Sequence, residues 1–547
     1  MSLKKIIALC LSLALCLGLG ACGETPSGES SSAKDTQKEE VFINLAESWD
    51  FSSGFSPVLN PANAVNYGLM YWCGNFYNTL VKYDKGKIVG DAAESWVVSD
   101  DQMSYTFTLR DDVFFSDGTK LTASAVKFCF EAALENLGVY RGSIGKVSGL
   151  ITTVEAPDDL TVVVNLSQPY YGTLNDLTLY NPMGIVNPVL YNSDYTLADT
   201  AYTQTGGTGP YMYAGDTDGT SYTFVRNPYY WGEKPEVDGF RIKVIQDNDA
   251  KVLALRSGEL DAIIGSTRLS YDAYGELRGT DGFGTAVSDS VAMTRYIGFN
   301  LTAAPFDDVL VRQAVAYALD KKSICDSVFS GIEHPADTFF YNGIPYCNVD
   351  ATTYEMNIER ACTLMEQAGW IDADGDGVRE KNGERLELTL TYTQSKSSLD
   401  SAALAVASQL NEIGFRVTPV GSDMMAWYNI LLSGDYTIAL SSTVGGTFDP
   451  FTTVSNMNPD NSSDPIAALF PTQLSRGKAI ILELDSTASE ERIKEIYQEL
   501  LGEIGHQVLA VPLSYTYEFG AWNSNVIDGY NFPSDGQYIH IGDIHLK

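Results

Sequence analysis

Asp372, Asp374 and Asp376, followed by Gly377, have the residue types and spacing of a cation loop. Alternate carboxylates on a short loop converge on a hard ion such as Ca²⁺, and Gly permits the sharp turn that convergence requires. The pattern then stops, because the twelfth position is Gly383 where a bidentate Glu is needed. A polar Asp/Gly turn is expected between a helix and the strand LELTLTY in any case. A solvated turn is therefore the main reading and calcium the weaker one. Cys22 closes the run Leu19-Gly20-Ala21-Cys22 behind Lys4, Lys5 and an apolar stretch from Ile6 to Gly20. That stretch falls short of the ~20 residues of a spanning helix and has the order of a secretory leader. The small residues suit a signal peptidase, and the Cys22 thiol is the nucleophile that would accept a diacylglycerol. The chain has four His, at 334, 506, 540 and 545. His540 and His545 fall near the C-terminus, where a surface or edge role is expected rather than metal ligation. No GxSxG, HExxH, CxxC or P-loop occurs, so neither an enzyme nor a cofactor is expected.

The elements that must position any site are those of a mixed α/β chain. Tyr105, Phe107 and Leu109 alternate with polar residues, which predicts a strand. Asp117-Gly118 turns the chain, and Thr122 is placed to cap a helix bearing Val126, Phe130, Ala133 and Leu134 on one stripe. Further strands are read at Phe42–Ala46, Leu160–Leu166, Ser221–Arg226, Phe240–Ile245 and Asp261–Ile264, with helices near Tyr67–Leu80 and at Asn248–Leu255. The last two strands and the helix between them form a βαβ unit whose strands should lie parallel. Strand and helix alternate again beyond Arg295: Tyr296–Asn300, Val309–Leu319, Leu386–Tyr392, Leu399–Ile413, Arg416–Val420, Tyr436–Leu440 and Glu490–Leu501. Two α/β lobes leave a crevice between them, and ligand sites favour such interfaces.

Composition narrows the partners. A chain of 547 residues suggests about three compact units. Its net charge of −35 repels phosphate backbones, which excludes nucleic acid as a partner, and serves chiefly solubility. Gly23 to Glu40 lacks large apolar residues and reads as a flexible tether that holds an anchored receptor near a membrane partner. Of eight Cys, two leave with the leader and Cys22 is the lipid site. Cys129 and Cys362 read as packed thiols, and Cys325 with Cys347 or Cys362 is the one bridge to consider.

The words AESW (Ala93–Trp96), YTFTLRDDVFFSDGT (Tyr105–Thr119) and LTASAVKF (Leu121–Phe128) carry more than local structure. GTGPY (Gly207–Tyr211), RNPYYWGEKP (Arg226–Pro235), SGELD (Ser257–Asp261) and VRQAVAYALDKKSI (Val311–Ile324) follow them. In this order they resemble the family 5 extracellular solute-binding proteins, the peptide and nickel receptors of ABC importers. The resemblance implies a hinged two-lobed clamp with an extra subdomain in the first lobe. Behind the signal peptide at 1–21 and the lipid-anchored tether at 22–40, it implies lobe I at 41–294 with the subdomain at about 81–205, lobe II at 295–513, and a return to lobe I at 514–547. The chain would cross near Val291–Phe299 and return near Val511–Tyr515. A monomer with a peptide or small-molecule ligand, ABC permease and ATPase partners, and a lipid anchor on the outer face of the cell membrane is implied.

Tyr67, Met70, Tyr71, Asn181, Trp427, Gly446, Phe448 and Asp449 fall where the family's cleft should be. TLVKYDKG, PADTFF followed by IPY, and FDPFTTVSNM are closest to the nickel-chelate branch. Its ligand residues carry over poorly. Met70 falls on the branch's cleft Met, but Val444 takes the place of its Trp and Phe448 that of its Tyr. Ser462 or Ser463 stands where it has His, and Asn181 or Gly184 where it has an anion-holding Arg. Dipeptide receptors place an amine-binding Asp where this chain has Gly446, which leaves Asp449 as the carboxylate at hand. A short peptide is the expected ligand, a metal chelate the alternative, and a cell-surface hydrolase the remote one.

Overall fold

Alternation became strand, and the predicted cap became a cap. In the computed structural model the strand Ser104–Leu109 buries Tyr105, Phe107 and Leu109. Thr122 accepts a hydrogen bond from Ala125 N at 3.3 Å and opens the helix Ala123–Leu137. That helix lays Val126, Phe130, Ala133 and Leu134 into the core it shares with a four-stranded antiparallel sheet, ordered Ala93–Val98, Ser104–Leu109, Thr161–Leu166, Ile151–Glu155. The structure describes residues 40–58, 66, 68–84, 86–143, 145–216, 220–394, 398–443, 450–460, 462–534 and 538–547, and Val41–Lys547 forms one unit.

A second sheet has the order Phe42–Glu47, Gly239–Val244, Ser221–Arg226, Tyr211–Asp216, its first two strands parallel. The predicted βαβ unit is altered here. Gly239–Val244 takes Phe42–Glu47 as its parallel neighbour, while Ala262–Ile264 pairs antiparallel with Ala510–Asn523 in another sheet. The first strand displaces the expected partner because Asp261 is already bonded to it: Asp261 N donates to Asn44 O at 2.8 Å, and its Oδ2 accepts from Asn44 N at 2.8 Å.

The largest sheet runs Ala262–Ile264, Ala510–Asn523, Phe283–Phe299, Ile438–Ser442, Glu387–Thr393, Arg416–Ser422, with His334–Pro335 added beside Ala510–Asn523. Its two longest strands, Phe283–Phe299 and Ala510–Asn523, pair antiparallel along most of their length. The register slips between Val287 and Val291, between Val291 and Met293, and between Arg295 and Tyr296. These two strands are neighbours in the largest sheet of an α/β fold with two lobes.

The predicted helix over Tyr67–Leu80 is absent among the described residues, which form turns and one short 3-10 segment, Cys73–Asn75. Close approaches at two glycines explain this. A Cβ on Gly68 would meet Asp50 O at 2.0 Å, and one on Gly74 would meet His540 Nε2 at 2.5 Å. Both places are filled by other chain segments, so the backbone follows them rather than its apolar spacing. Cys73, Cys129, Cys325, Cys347 and Cys362 are all free thiols, and burial pushes Cys325 and Cys129 up to about 12.

Candidate functional site

Two faces carry the residues singled out in the sequence. On the first, the segments at 70–75 and 538–541 are laced together by backbone and amide bonds. Ile539 N donates to Tyr71 O at 2.8 Å. Asn75 Nδ2 donates to Ile539 O at 2.6 Å, and its Oδ1 accepts from Ile541 N at 2.8 Å. Asn181 joins them on the short turn Tyr180–Met183, where Tyr180 packs edge-on to Tyr538 at 5.0 Å and lies 6.3 Å from His540. His540 thus lies within this corner, against Gly74, and not at the surface or edge expected of it; His545, hydrogen-bonded to Asn531 and paired with Glu236, keeps a surface role. The Oδ1 atom of Asn181 is shielded from water and has no hydrogen-bond partner.

Charge holds this face from behind. Glu47, at the end of its strand, accepts from Trp72 Nε1 at 2.9 Å and from Arg268 Nε at 2.8 Å, and Arg268 Nη2 completes the ion pair. Both side chains are only 2% exposed. A buried pair offsets its desolvation only when its remaining donors and acceptors are engaged. Here the indole N–H adds a further donor, and the guanidinium lies 4.4 Å from the Tyr71 ring centre and 5.7 Å from that of Trp72. Tyr71 is therefore fixed by stacking, with Met70 beside it on the same turn. Lys251 lies next to the pair, donating to Ser48 Oγ at 2.6 Å and Asn248 Oδ1 at 2.9 Å, and burial lowers its pKa to about 8.

The second face is built on the helix Met424–Ser433, which Asp423 caps by accepting from Ala426 N at 3.0 Å. Trp427 rests against the core of the largest sheet, its Nε1 shielded from water without a hydrogen-bond partner. Tyr428 OH donates to Ser463 O at 3.2 Å, which places this helix beside the Ser462–Ser463 segment. Both serine hydroxyls are committed internally: Ser462 Oγ donates to Asp464 O at 2.9 Å, and Ser463 Oγ bonds Asn456 Oδ1 at 3.0 Å. Asp464 Oδ1 accepts from Ile466 N at 3.0 Å and Ala467 N at 3.1 Å, and burial raises its pKa. Tyr67, Val444, Gly446, Phe448 and Asp449 lie outside the described residues.

Asp372, Asp374 and Asp376 bring carboxylate oxygens within 4.8 Å of one another on an exposed loop. Much of that charge is already engaged. Asp372 accepts from Gly375 N at 2.8 Å and Gly377 N at 3.0 Å, and Arg385 Nη2 bonds Asp376 at 2.5 Å. Asp376 is held below the usual carboxylate range first by its bond from Arg385 and then by the Val378 N–H. The loop is a self-capped turn closed by an arginine. Glu47 and Arg268 carry the structural weight of the first face, yet nothing in their local patterns marks them. A single charged residue in an element looks the same whether it meets water or a buried partner.

The chain matches the description "Bacterial extracellular solute-binding proteins, family 5 Middle" over residues 87–464. It is 29% identical over 441 residues to the nickel-binding periplasmic protein of Escherichia coli K12, covering 80% of this chain and 83% of that one. It is 30% identical over 386 residues to the probable D,D-dipeptide-binding periplasmic protein of the same organism, covering 69% and 70%. The crystal structure of NikA from Brucella suis in complex with Fe(III)-EDTA superposes with a TM-score of 0.84 at 27% identity, over 92% of this chain and 99% of that one. The chain belongs to the family 5 extracellular solute-binding proteins of bacteria.

Proposed function

We propose that this receptor captures a short peptide between its lobes and delivers it to the permease and ATPase subunits of an ABC importer. It performs no chemistry and acts as a monomer, held to the outer face of the cell membrane by a lipid on Cys22 behind the 1–21 leader and the 22–40 tether. Lobe I spans 41–294, with its subdomain at about 81–205, lobe II spans 295–513, and the chain returns at 514–547. The observation that carries the peptide reading is the state of Ser462 and Ser463, whose hydroxyls are spent on Asp464 O and Asn456. They stand where the chelate branch supplies imidazole, a far stronger ligand for Ni²⁺ than a hydroxyl. Asn181, where that branch holds an anion with Arg, is neutral, and its unpartnered oxygen suits a peptide N–H. Asp449 is the proposed partner of the peptide's amine, with Tyr67, Met70, Tyr71, Trp427, Gly446 and Phe448 around the ligand.

The second reading, a metal chelate, is favoured by the likeness to the nickel-binding protein and to NikA, and by His540 in the corner with Tyr180. Calorimetry with di- to pentapeptides and with Ni²⁺–histidine separates the two. Peptides should bind, and Asp449→Asn should weaken them by roughly 30-fold, the low end of the cost of truncating a buried charge pair. Binding of Ni²⁺–histidine with no response to any peptide overturns the peptide reading. Cys22→Ala should leave an unlipidated precursor, and unchanged membrane retention in that variant would remove the anchor.

A further inference from the structure

The subdomain core and the core of the largest sheet meet along a small interface formed by none of the cleft residues named above. Lys146, beside the subdomain's Val147, forms an ion pair with Asp485 on the helix Ala479–Ser486 of the other core; the two side chains are 11% and 12% exposed. Gln168 Nε2 donates to Asp485 O at 3.4 Å, and Gln102 Nε2 donates to Ala488 O at 3.2 Å. Beside these bonds the Tyr171 ring sits edge-on to Tyr346 at 5.1 Å and tilted against Phe451 at 5.7 Å. The cavity left among Tyr170, Tyr171, Phe451 and Leu484 is only about 10 Å³.

We propose that this interface is a latch: direct contact between the lobes, apart from the ligand, holds them together in the ligand-free receptor. The division of labour follows from physical chemistry. The aromatic half supplies the attraction, because ring pairs gain beyond the area they bury. The ion pair has little net worth of its own after desolvation, but removing one partner strands the other charge in a dry interface. Lys146 and Asp485 thus select one docked arrangement, and Tyr171 makes it favourable. A receptor with such a latch binds its ligand with part of the closing free energy already supplied, so affinity can be tuned far from the cleft.

The proposal rests on the two-lobed clamp, and its test needs no ligand, so failure of the peptide reading would not affect it. Spin labels at Val97→Cys and Leu404→Cys, both exposed and on opposite sides of the latch, report the separation in the full chain by pulsed dipolar spectroscopy. The parent should show mainly the short distance. Lys146→Ala and Tyr171→Ala should each lower the ratio of short to long populations by ten-fold or more. The swap Lys146→Asp with Asp485→Lys should restore the ratio to within about three-fold. A parent that is mainly long-distance overturns the latch, as does a Lys146→Ala ratio within two-fold of the parent. Should Lys146→Ala fail to fold, the swap decides: folded with the short distance supports the latch, folded with the long distance overturns it.

Discussion

Two buried glutamates, Glu47 and Glu333, hold two buried arginines, and the difference in where their donors come from shows what each network keeps in place. Glu47 draws on Trp72 and Arg268, both from the chain before the strand Phe283–Phe299. Glu333, fully buried, accepts from Arg295 Nη2 at 2.6 Å and Arg295 Nε at 3.2 Å, from Tyr271 OH and from Ser514 Oγ. Arg295 and Ser514 face each other across the ladder of the two long strands, so one carboxylate grips both at a single rung. The first pair thus stiffens the turn that carries Tyr71, and the second stiffens the ladder of the two long strands. The same chemistry fixes the Tyr71 turn in one place and the pairing of two long strands in the other because the partners lie on different elements.

Glu333→Gln should be the most damaging change in either network. It leaves the Arg295 guanidinium buried without its counter-charge, which costs about 3 to 5 kcal/mol. Urea unfolding should report that loss, and a loss below 1 kcal/mol would mean that Tyr271 and Ser514 compensate. Arg268→Gln should cost less, about 3 kcal/mol at the low end of the same range, because Glu47 keeps the Trp72 N–H. Its signature lies elsewhere: with Tyr71 and Trp72 no longer stacked, affinity for a peptide bound by the parent should drop ten-fold or more. The comparison breaks if Glu333→Gln weakens binding and Arg268→Gln does not.

The legibility of the two regions differed for a related reason. The Ser104–Leu109 strand and the Thr122 cap depend on neighbours within a few residues, and alternation and cap chemistry recorded them. The strand Phe283–Phe299 was read only over Tyr296–Asn300, because its first half, FGTAVSDSVAMT, is mixed in polarity and gains its order from Ala510–Asn523, over 200 residues away. The helix expected over Tyr67–Leu80 failed because Gly68 and Gly74 answer to Asp50 and His540, contacts invisible to any local window. Of the candidate site, Met70, Tyr71, Asn181 and Trp427 are proposed from the family pattern. Glu47 and Arg268, the charges behind Tyr71, could not be, since burial of a charge is decided entirely by tertiary partners.

Two lysines, Lys251 and Lys321, are also buried, and these sharpen the contrast through pH. Lys321, 8% exposed, donates to Ala336 O at 2.7 Å, and burial lowers its pKa to about 8, as it does for Lys251. The unfolded chain, with an ordinary value of 10.5, then binds more protons than the folded one between about pH 8 and 10.5, so stability rises with pH in that window. Lys321→Met removes one such group and should flatten the rise by about 1 kcal/mol per pH unit, measured between pH 8 and 9.5. Equal slopes in the two proteins would show that Lys321 keeps an ordinary proton affinity.

The smallest effect belongs to the face that, among the described residues, has no buried ion pair beneath it. The helix Met424–Ser433 buries only Leu431, and Met424, Met425 and Leu432 are exposed, so little packing fixes it. Its N-terminus depends on the bond from Ala426 N to Asp423 Oδ1, at 3.0 Å. Asp423→Ala should therefore cost about 1 kcal/mol, the usual worth of an N-cap. The loss should be local. A helix with one buried anchor frays before the sheet beneath it opens, so hydrogen exchange should quicken over 424–433 roughly five-fold while Ile438–Ser442 stays unchanged. If exchange instead quickens along Ile438–Ser442 as well, the helix and its sheet open as one body. Trp427 would then be held as firmly as Tyr71 is by Arg268, and the contrast between the two faces would vanish.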